Sequence, residues 1–102
     1  MRIIAERTIK QYWEKHPNAK ASLIKWMITA QEARWQNIQE VRAVFPHADL
    51  VTVESGNTVT VFNIAGNHYR LIVKFHYNGG RAYVLKIMTH AEYDKNHWKK
   101  EL

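Results

Sequence analysis

Apolar positions recur every three to four residues in the first half of the chain and every second residue in the second half. Met1 to Ala5 carries Ile3 and Ile4 and predicts a short strand. Glu6 to Lys15 predicts a helix, with Ile9, Tyr12, Trp13 and His16 at helical spacing. Pro17 ends it. Asn18 is placed to cap a second helix from about Ala19 to Ala33, whose inner stripe is Leu23, Trp26, Met27 and Ala30. Asn37, with Glu40 three residues on, has the form of a capping box that opens a short third helix. That helix turns Ile38, Val41 and Phe45 inward and closes at Pro46.

Beyond Pro46 the period is two. Leu50 to Val53 predicts a strand, Ser55-Gly56-Asn57 a turn, and Thr58 to Asn63 a second strand with Val59, Val61 and Asn63 on one face. After a turn at Ala65-Gly66-Asn67, His68 to Tyr77 predicts a long strand. Tyr77-Asn78-Gly79-Gly80 is a hairpin signal, because Gly and Asn accept positive φ. Arg81 to Met88 returns antiparallel, and Thr89 caps one or two helical turns that reach Asn96. The order predicts an α+β fold in one domain over residues 1–102. Two or three N-terminal helices pack on one face of an antiparallel sheet, and the other face is open.

The strand from His68 sets the chemistry. One face holds His68, Arg70, Ile72, Lys74 and His76; the other holds Tyr69, Leu71, Val73, Phe75 and Tyr77. The second face is apolar and belongs under the helices, so the first meets water or a ligand. In the return strand both faces are mostly apolar. Lys86 is the exception, and it either joins the cationic face or snorkels from a buried edge. Trp13, Trp26 and Trp35 read as core residues and Trp98 as exposed.

Charge sharpens this picture. Lys plus Arg number 15 against 9 Asp plus Glu, a formal +6. The excess is local: from Ser55 to Ala91 there is no carboxylate, while Arg70, Lys74, Arg81 and Lys86 stand there with His68, His76 and His90. A basic, acid-free sheet face suits a phosphate backbone. The absence of Cys excludes disulfide frameworks and Cys-based zinc modules. No segment is apolar for long enough to span a bilayer, and the first residues lack a signal-peptide pattern, which leads to the expectation of a cytoplasmic protein without a membrane partner.

The segment Thr89-His90-Ala91-Glu92-Tyr93-Asp94-Lys95 follows the last strand. On a helical turn His90, Tyr93 and Asp94 share one side. His90 can then serve as acid or base with Tyr93 as a hydroxyl donor, next to Arg70. His90, Asp94 and His97 also have metal-ligand spacing, but such short runs are frequent by chance, and no metal or other cofactor is expected. A plain helix cap with Tyr93 packed on the core fits the same residues.

The run Asn67-His68-Tyr69-Arg70-Leu71-Ile72-Val73, the hairpin, Tyr83 and Met88-Thr89-His90-Ala91-Glu92-Tyr93-Asp94-Lys95 resemble the HigB branch of the RelE-like toxins. Val44-Phe45-Pro46 with Asp49, and Val61-Phe62-Asn63-Ile64, resemble the middle of that family, and the likeness covers essentially the whole chain. It implies a toxin of a type II toxin–antitoxin system: a ribosome-dependent endonuclease of mRNA. Its partner would be a cognate antitoxin, often a helix-turn-helix protein, in a hetero-oligomer. Arg70, His90 and Tyr93 match the family motif best, and Lys74 fits the cationic face. These four are the expected catalytic residues. His76, Arg81, Lys86, Asp94 and Lys95 are the expected RNA contacts, with His76 as an alternate base and Asp94 in a structural role. One departure stands out: Leu85 occupies a position where similar sequences often carry a basic residue, and Lys86 is its neighbour. The competing readings are an RNA-binding module without catalysis and a protein-interaction module.

Overall fold

A computed structural model describes all residues from Met1 to Leu102. The short strand β1 (Arg2–Ile4) precedes helix α1 (Glu6–Lys15), which stops before Pro17 as its sequence requires. Pro17–Ala19 forms a 3-10 turn that runs directly into α2 (Lys20–Glu32). Asn18 therefore lies inside that turn and caps nothing; the residue before α2 is Ala19, which makes no side-chain cap. Helix α3 (Ile38–Val44) starts as expected, with Asn37 Oδ1 accepting from Glu40 N at 3.0 Å. Glu40 reaches back one residue further than a capping box does, accepting from Gln36 N at 2.8 Å.

The strands are β2 (Asp49–Thr52), β3 (Thr58–Ile64), β4 (Tyr69–His76) and β5 (Arg81–Thr89), followed by the single turn α4 (His90–Asp94). They form one sheet in the order β1-β5-β4-β3-β2. β2 to β5 are an antiparallel meander, but β1 lies parallel to β5, so the sheet is mixed rather than wholly antiparallel. A parallel pair needs a long connection, and the helices and the meander supply it.

The helices cover one face. Ile9, Leu23, Trp26, Ala30 and Val41 pack with Phe62, Leu71, Val73 and Ala82 in the main core. The opposite face, expected to be open, carries a second and smaller core of Val53, Val59, Val61, Ile72, Met88 and Trp98. Trp98 sits in the 3-10 turn His97–Lys100 and is only 4% exposed, against the expectation that it faces water. The alternation of the strand does put Ile72 on the Arg70 face. The sequence pattern does not show that the C-terminal turn folds back over that residue.

The ambiguity of β5 has a geometric cause. Its pairing with β4 shifts by one residue between Ile72 and Val73: Ile72 faces Lys86, while Val73 faces Val84. Leu85 is the extra residue of a β-bulge. The bulge inverts the parity of the strand, so Tyr83, opposite Lys74, and Lys86, opposite Ile72, both join the cationic face. No helix is long and apolar enough to cross a membrane.

Candidate active site

Arg70 leaves β4 on the face away from the helices, yet it is only 7% exposed. Its guanidinium is surrounded by acceptors. Nη1 donates to the carbonyls of Asn67 at 3.2 Å and Tyr69 at 3.0 Å. Nη2 donates to Asn67 Oδ1 and to His90 Nδ1, the latter at 3.0 Å. Four of its five N–H directions are thus taken within the protein, and Nε is the one not engaged. Asn67 reaches this place because β3 and β4 join through a tight turn in which Ala65 (φ 52°) and Gly66 (φ 68°) are both left-handed.

His90 comes from a different element. The register sets Tyr69 against Thr89 and Arg70 against Met88, so α4 begins beside Arg70, and His90 N donates to the His68 carbonyl at 2.9 Å. The chain turns sharply there because Thr89 and Glu92 make a complete capping box: Thr89 Oγ1 accepts from Glu92 N at 3.2 Å, and Glu92 Oε1 accepts from Thr89 N at 3.0 Å. Those bonds hold the Glu92 carboxyl below its ordinary pKa. The turn carries His90, Tyr93 and Asp94 to one side, as their spacing predicts. His90 Nε2 lies 3.3 Å from Asp94 Oδ2. A guanidinium can only donate, so His90 Nδ1 accepts and the imidazole proton of the neutral ring rests on Nε2, towards Asp94. His97 does not join them, and no three acidic or imidazole side chains gather to hold a metal ion.

Tyr93 completes the group. Its ring lies 5.5 Å from Arg70 Cζ and stacks on Trp98 at 5.2 Å, with Trp98 Nε1 donating to the Tyr93 carbonyl at 3.1 Å. Indole, phenol and guanidinium form one column on the sheet. Burial raises the Tyr93 pKa above its ordinary 10.0; Asp49 and Asp94 push in the same direction and Arg70 opposes them. The phenol keeps its proton at neutral pH.

Arg70 and Tyr93 form one wall of a cleft of about 550 Å³, whose other walls include Arg42, His47, Asp49 and Asn63. These four lie outside the residues that the sequence singles out for chemistry. Asn63 pairs directly with Arg70 across β3 and β4, so its position follows once the hairpin register is known. His47 and Asp49 arrive on the loop after α3, which Arg42 pins by donating from Nε to the Ala48 carbonyl at 2.9 Å. No local period places a loop of this kind.

The remaining expected residues are not gathered here. Lys74 is four residues along β4 from Arg70, about 13 Å at the ordinary strand rise. Its Nζ donates to Asn57 Oδ1 at 3.0 Å. His76 and Arg81 face each other at the far hairpin, where Arg81 Nη1 donates to the Tyr83 hydroxyl at 3.1 Å. Lys86 is paired with Glu101 of the C-terminal turn. Lys95 is exposed beyond α4. The cations form a line down the sheet from the cleft, and only its upper end meets His90 and Tyr93.

The family model described as HigB toxin, the RelE-like toxic component of a toxin–antitoxin system, matches residues 19–96, a span that contains Arg42, Arg70, His90, Tyr93 and Asp94. The mRNA interferase toxin HigB of Escherichia coli K12 is 29% identical over 94 residues, covering 92% of this chain and 88% of that protein. The mRNA interferase HigB of Escherichia coli O6:H1 is 30% identical over 95 residues, covering 93% and 90%. That of Shigella flexneri is 29% identical over 94 residues.

Proposed function

The chain belongs to the HigB family of RelE-like toxins, the toxic components of toxin–antitoxin systems, and from that premise we propose that it is an endonuclease of mRNA acting at the Arg70–Tyr93 cleft. The observation that carries the reading is the chain of contacts Asp94–His90–Arg70, ending beside Tyr93 at the cleft wall. Relatives named mRNA interferases support the substrate class.

The chemistry needs no cofactor. The 2′-oxygen of the nucleotide before the cut attacks the adjacent phosphorus, and the bond from phosphorus to the 5′-oxygen breaks. A 2′,3′-cyclic phosphate and a 5′-hydroxyl result. A base takes the 2′-hydroxyl proton, cations stabilise the phosphorane oxygens, and an acid protonates the leaving oxygen. Arg70 is the cation and exchanges internal acceptors for phosphate oxygens. When it turns, His90 Nδ1 loses its donor and becomes free to act as base, while Asp94 holds Nε2 and steadies the imidazolium that forms. Tyr93, protonated at neutral pH, is the group that gives its proton to the 5′-oxygen. Lys74 and the line of cations below it hold the flanking backbone.

The ribosome positions the mRNA in this reading. The partner that silences the toxin is a cognate helix-turn-helix antitoxin bound in a hetero-oligomer and covering the basic face. The test is to add the purified protein to mRNA with and without translating ribosomes and to map the new ends. Cuts with 2′,3′-cyclic phosphate ends that depend on ribosomes are the expected result. RNA bound in a gel but left intact would mark a binding module instead.

A further inference from the structure

A second pocket opens next to the cleft, between α2, the loop after α3 and the turn joining β3 to β4. We infer that it is a nucleobase subsite, holding the base of a nucleotide that flanks the phosphate cut at the Arg70–Tyr93 cleft; the inference rests on the endonuclease reading above. The pocket measures about 560 Å³, within the range of ~300–1,000 Å³ typical of small-ligand sites. It shares His47 and Asn63 with the cleft, so a strand with its phosphate in the one is continuous with a base in the other.

The lining selects the ligand chemistry. Trp26, Phe45 and Ile64 contribute apolar surface, which does not suit a bare phosphate. Around them stand the carboxamides of Asn63 and Asn67, the Ser22 hydroxyl and a single cation, Lys25. Flat apolar surface with side chains that both donate and accept is how unstacked bases of single-stranded RNA are held and read. A separate observation points the same way. Trp26 is 1% exposed, yet its indole N–H has no acceptor in the protein. Buried donors are nearly always paired, and the acceptor edge of a base would complete this one. Asn67 also ties the pocket to catalysis: the side chain on the pocket rim is the one that holds Arg70. A base that engages the Asn67 carboxamide would release a guanidinium N–H for the phosphate.

The test follows the Trp26 indole N–H resonance, assigned by its loss in Trp26→Phe, while each of the four nucleoside 3′-monophosphates is added. At least one nucleotide should move that resonance saturably. Ser22→Phe, which fills the pocket from α2, should weaken that binding by about tenfold or more. Ser22→Val reads the same with a smaller effect if the larger variant does not fold. In mRNA cleavage both variants should change which base flanks the cut. A Trp26 resonance unmoved by all four nucleotides, or moved equally in the filled variants, overturns the subsite. So does an unchanged base distribution at the cuts of a filled variant that still cleaves. A wild-type protein that leaves mRNA intact would instead overturn the endonuclease reading, and the nucleotide titration stands apart from it.

Discussion

Arg70 Nη2 donates to His90 Nδ1 at 3.0 Å, which joins the most enclosed cation of the protein to an imidazole with a carboxylate on its far side. Each of these side chains is defined by the other. The guanidinium fixes the tautomer of the ring, and the ring occupies a guanidinium direction that a phosphate would need.

Removing His90 therefore has two opposed effects. Arg70 gains a free N–H, but the base is gone. General acid–base help is worth ~10²–10⁴-fold, so His90→Ala should reduce single-turnover mRNA cleavage by about that factor. His90 is half-exposed at the start of α4, and the variant should fold normally. Cleavage near the wild-type rate by a folded His90→Ala protein would remove the ring from the mechanism.

Arg70→Lys tests the geometry of the cation. A lysine ammonium carries the charge but cannot serve acceptors spread around a planar fork. It would leave several of the Asn67, Tyr69 and His90 acceptors unserved. Cleavage should fall at least about tenfold, an increase of ~1.4 kcal/mol in the barrier, although the charge is kept. A fully active Arg70→Lys variant would mean that charge alone suffices.

Arg70, His90, Tyr93 and Asp94 were readable in the sequence because strand parity and helical spacing are local rules, and these residues obey them. Three features lay beyond those rules. The Leu85 bulge shifts the parity of β5, so Lys86 could not be assigned a face from alternation. Trp98 is buried by a turn that folds back onto Ile72 and Val61, a contact between distant parts of the chain. Arg42, His47 and Asp49 reach the cleft through a loop whose path depends on tertiary packing. The pattern gave the α+β class and its element order. The parallel β1 edge needed the register, because Ile3 and Ile4 read alike in either direction.

Trp98→Ala should damage stability and cleavage together. Trp-to-Ala changes in cores cost ~3–5 kcal/mol, and here the lost ring also supports the stacked face of Tyr93. Trp98→Phe keeps a stacking ring and should recover most of the cleavage once the protein is folded. Urea denaturation and single-turnover rates, read on both variants, separate the two losses. If Trp98→Ala leaves the rate per folded molecule unchanged, the column is structural only.

The cations below the cleft should divide by whether they are already paired. Lys74 is exposed and held only by a neutral amide, so Lys74→Ala should weaken RNA binding and reduce the salt slope by about one unit. Lys86 already faces Glu101, and Lys86→Ala should change binding less. As a partly exposed pair it contributes at most ~1 kcal/mol to stability. Binding measured over a salt series on both variants checks the order; a larger effect from Lys86 would show that Glu101 gives way to RNA.

Acid should loosen the turn that presents His90. The folded Glu92 carboxyl lies below its ordinary value of 4.5, because Thr89 donates to it from both its backbone and its hydroxyl. A depressed folded pKa means that the stabilisation is fully present above the unfolded value and is lost as pH falls through the folded one. Thr89→Ala removes the cap and should cost about 1 kcal/mol at neutral pH. Because Glu92 loses its reason to stay ionised when the cap is absent, the gap between wild type and Thr89→Ala should hold from neutrality down to about pH 4.5 and close below it. Urea midpoints measured from pH 3 to 7 on both proteins give that gap directly. A gap that stays constant across the acid range would mean that the Thr89 hydroxyl, rather than the Glu92 carboxylate, carries the cap.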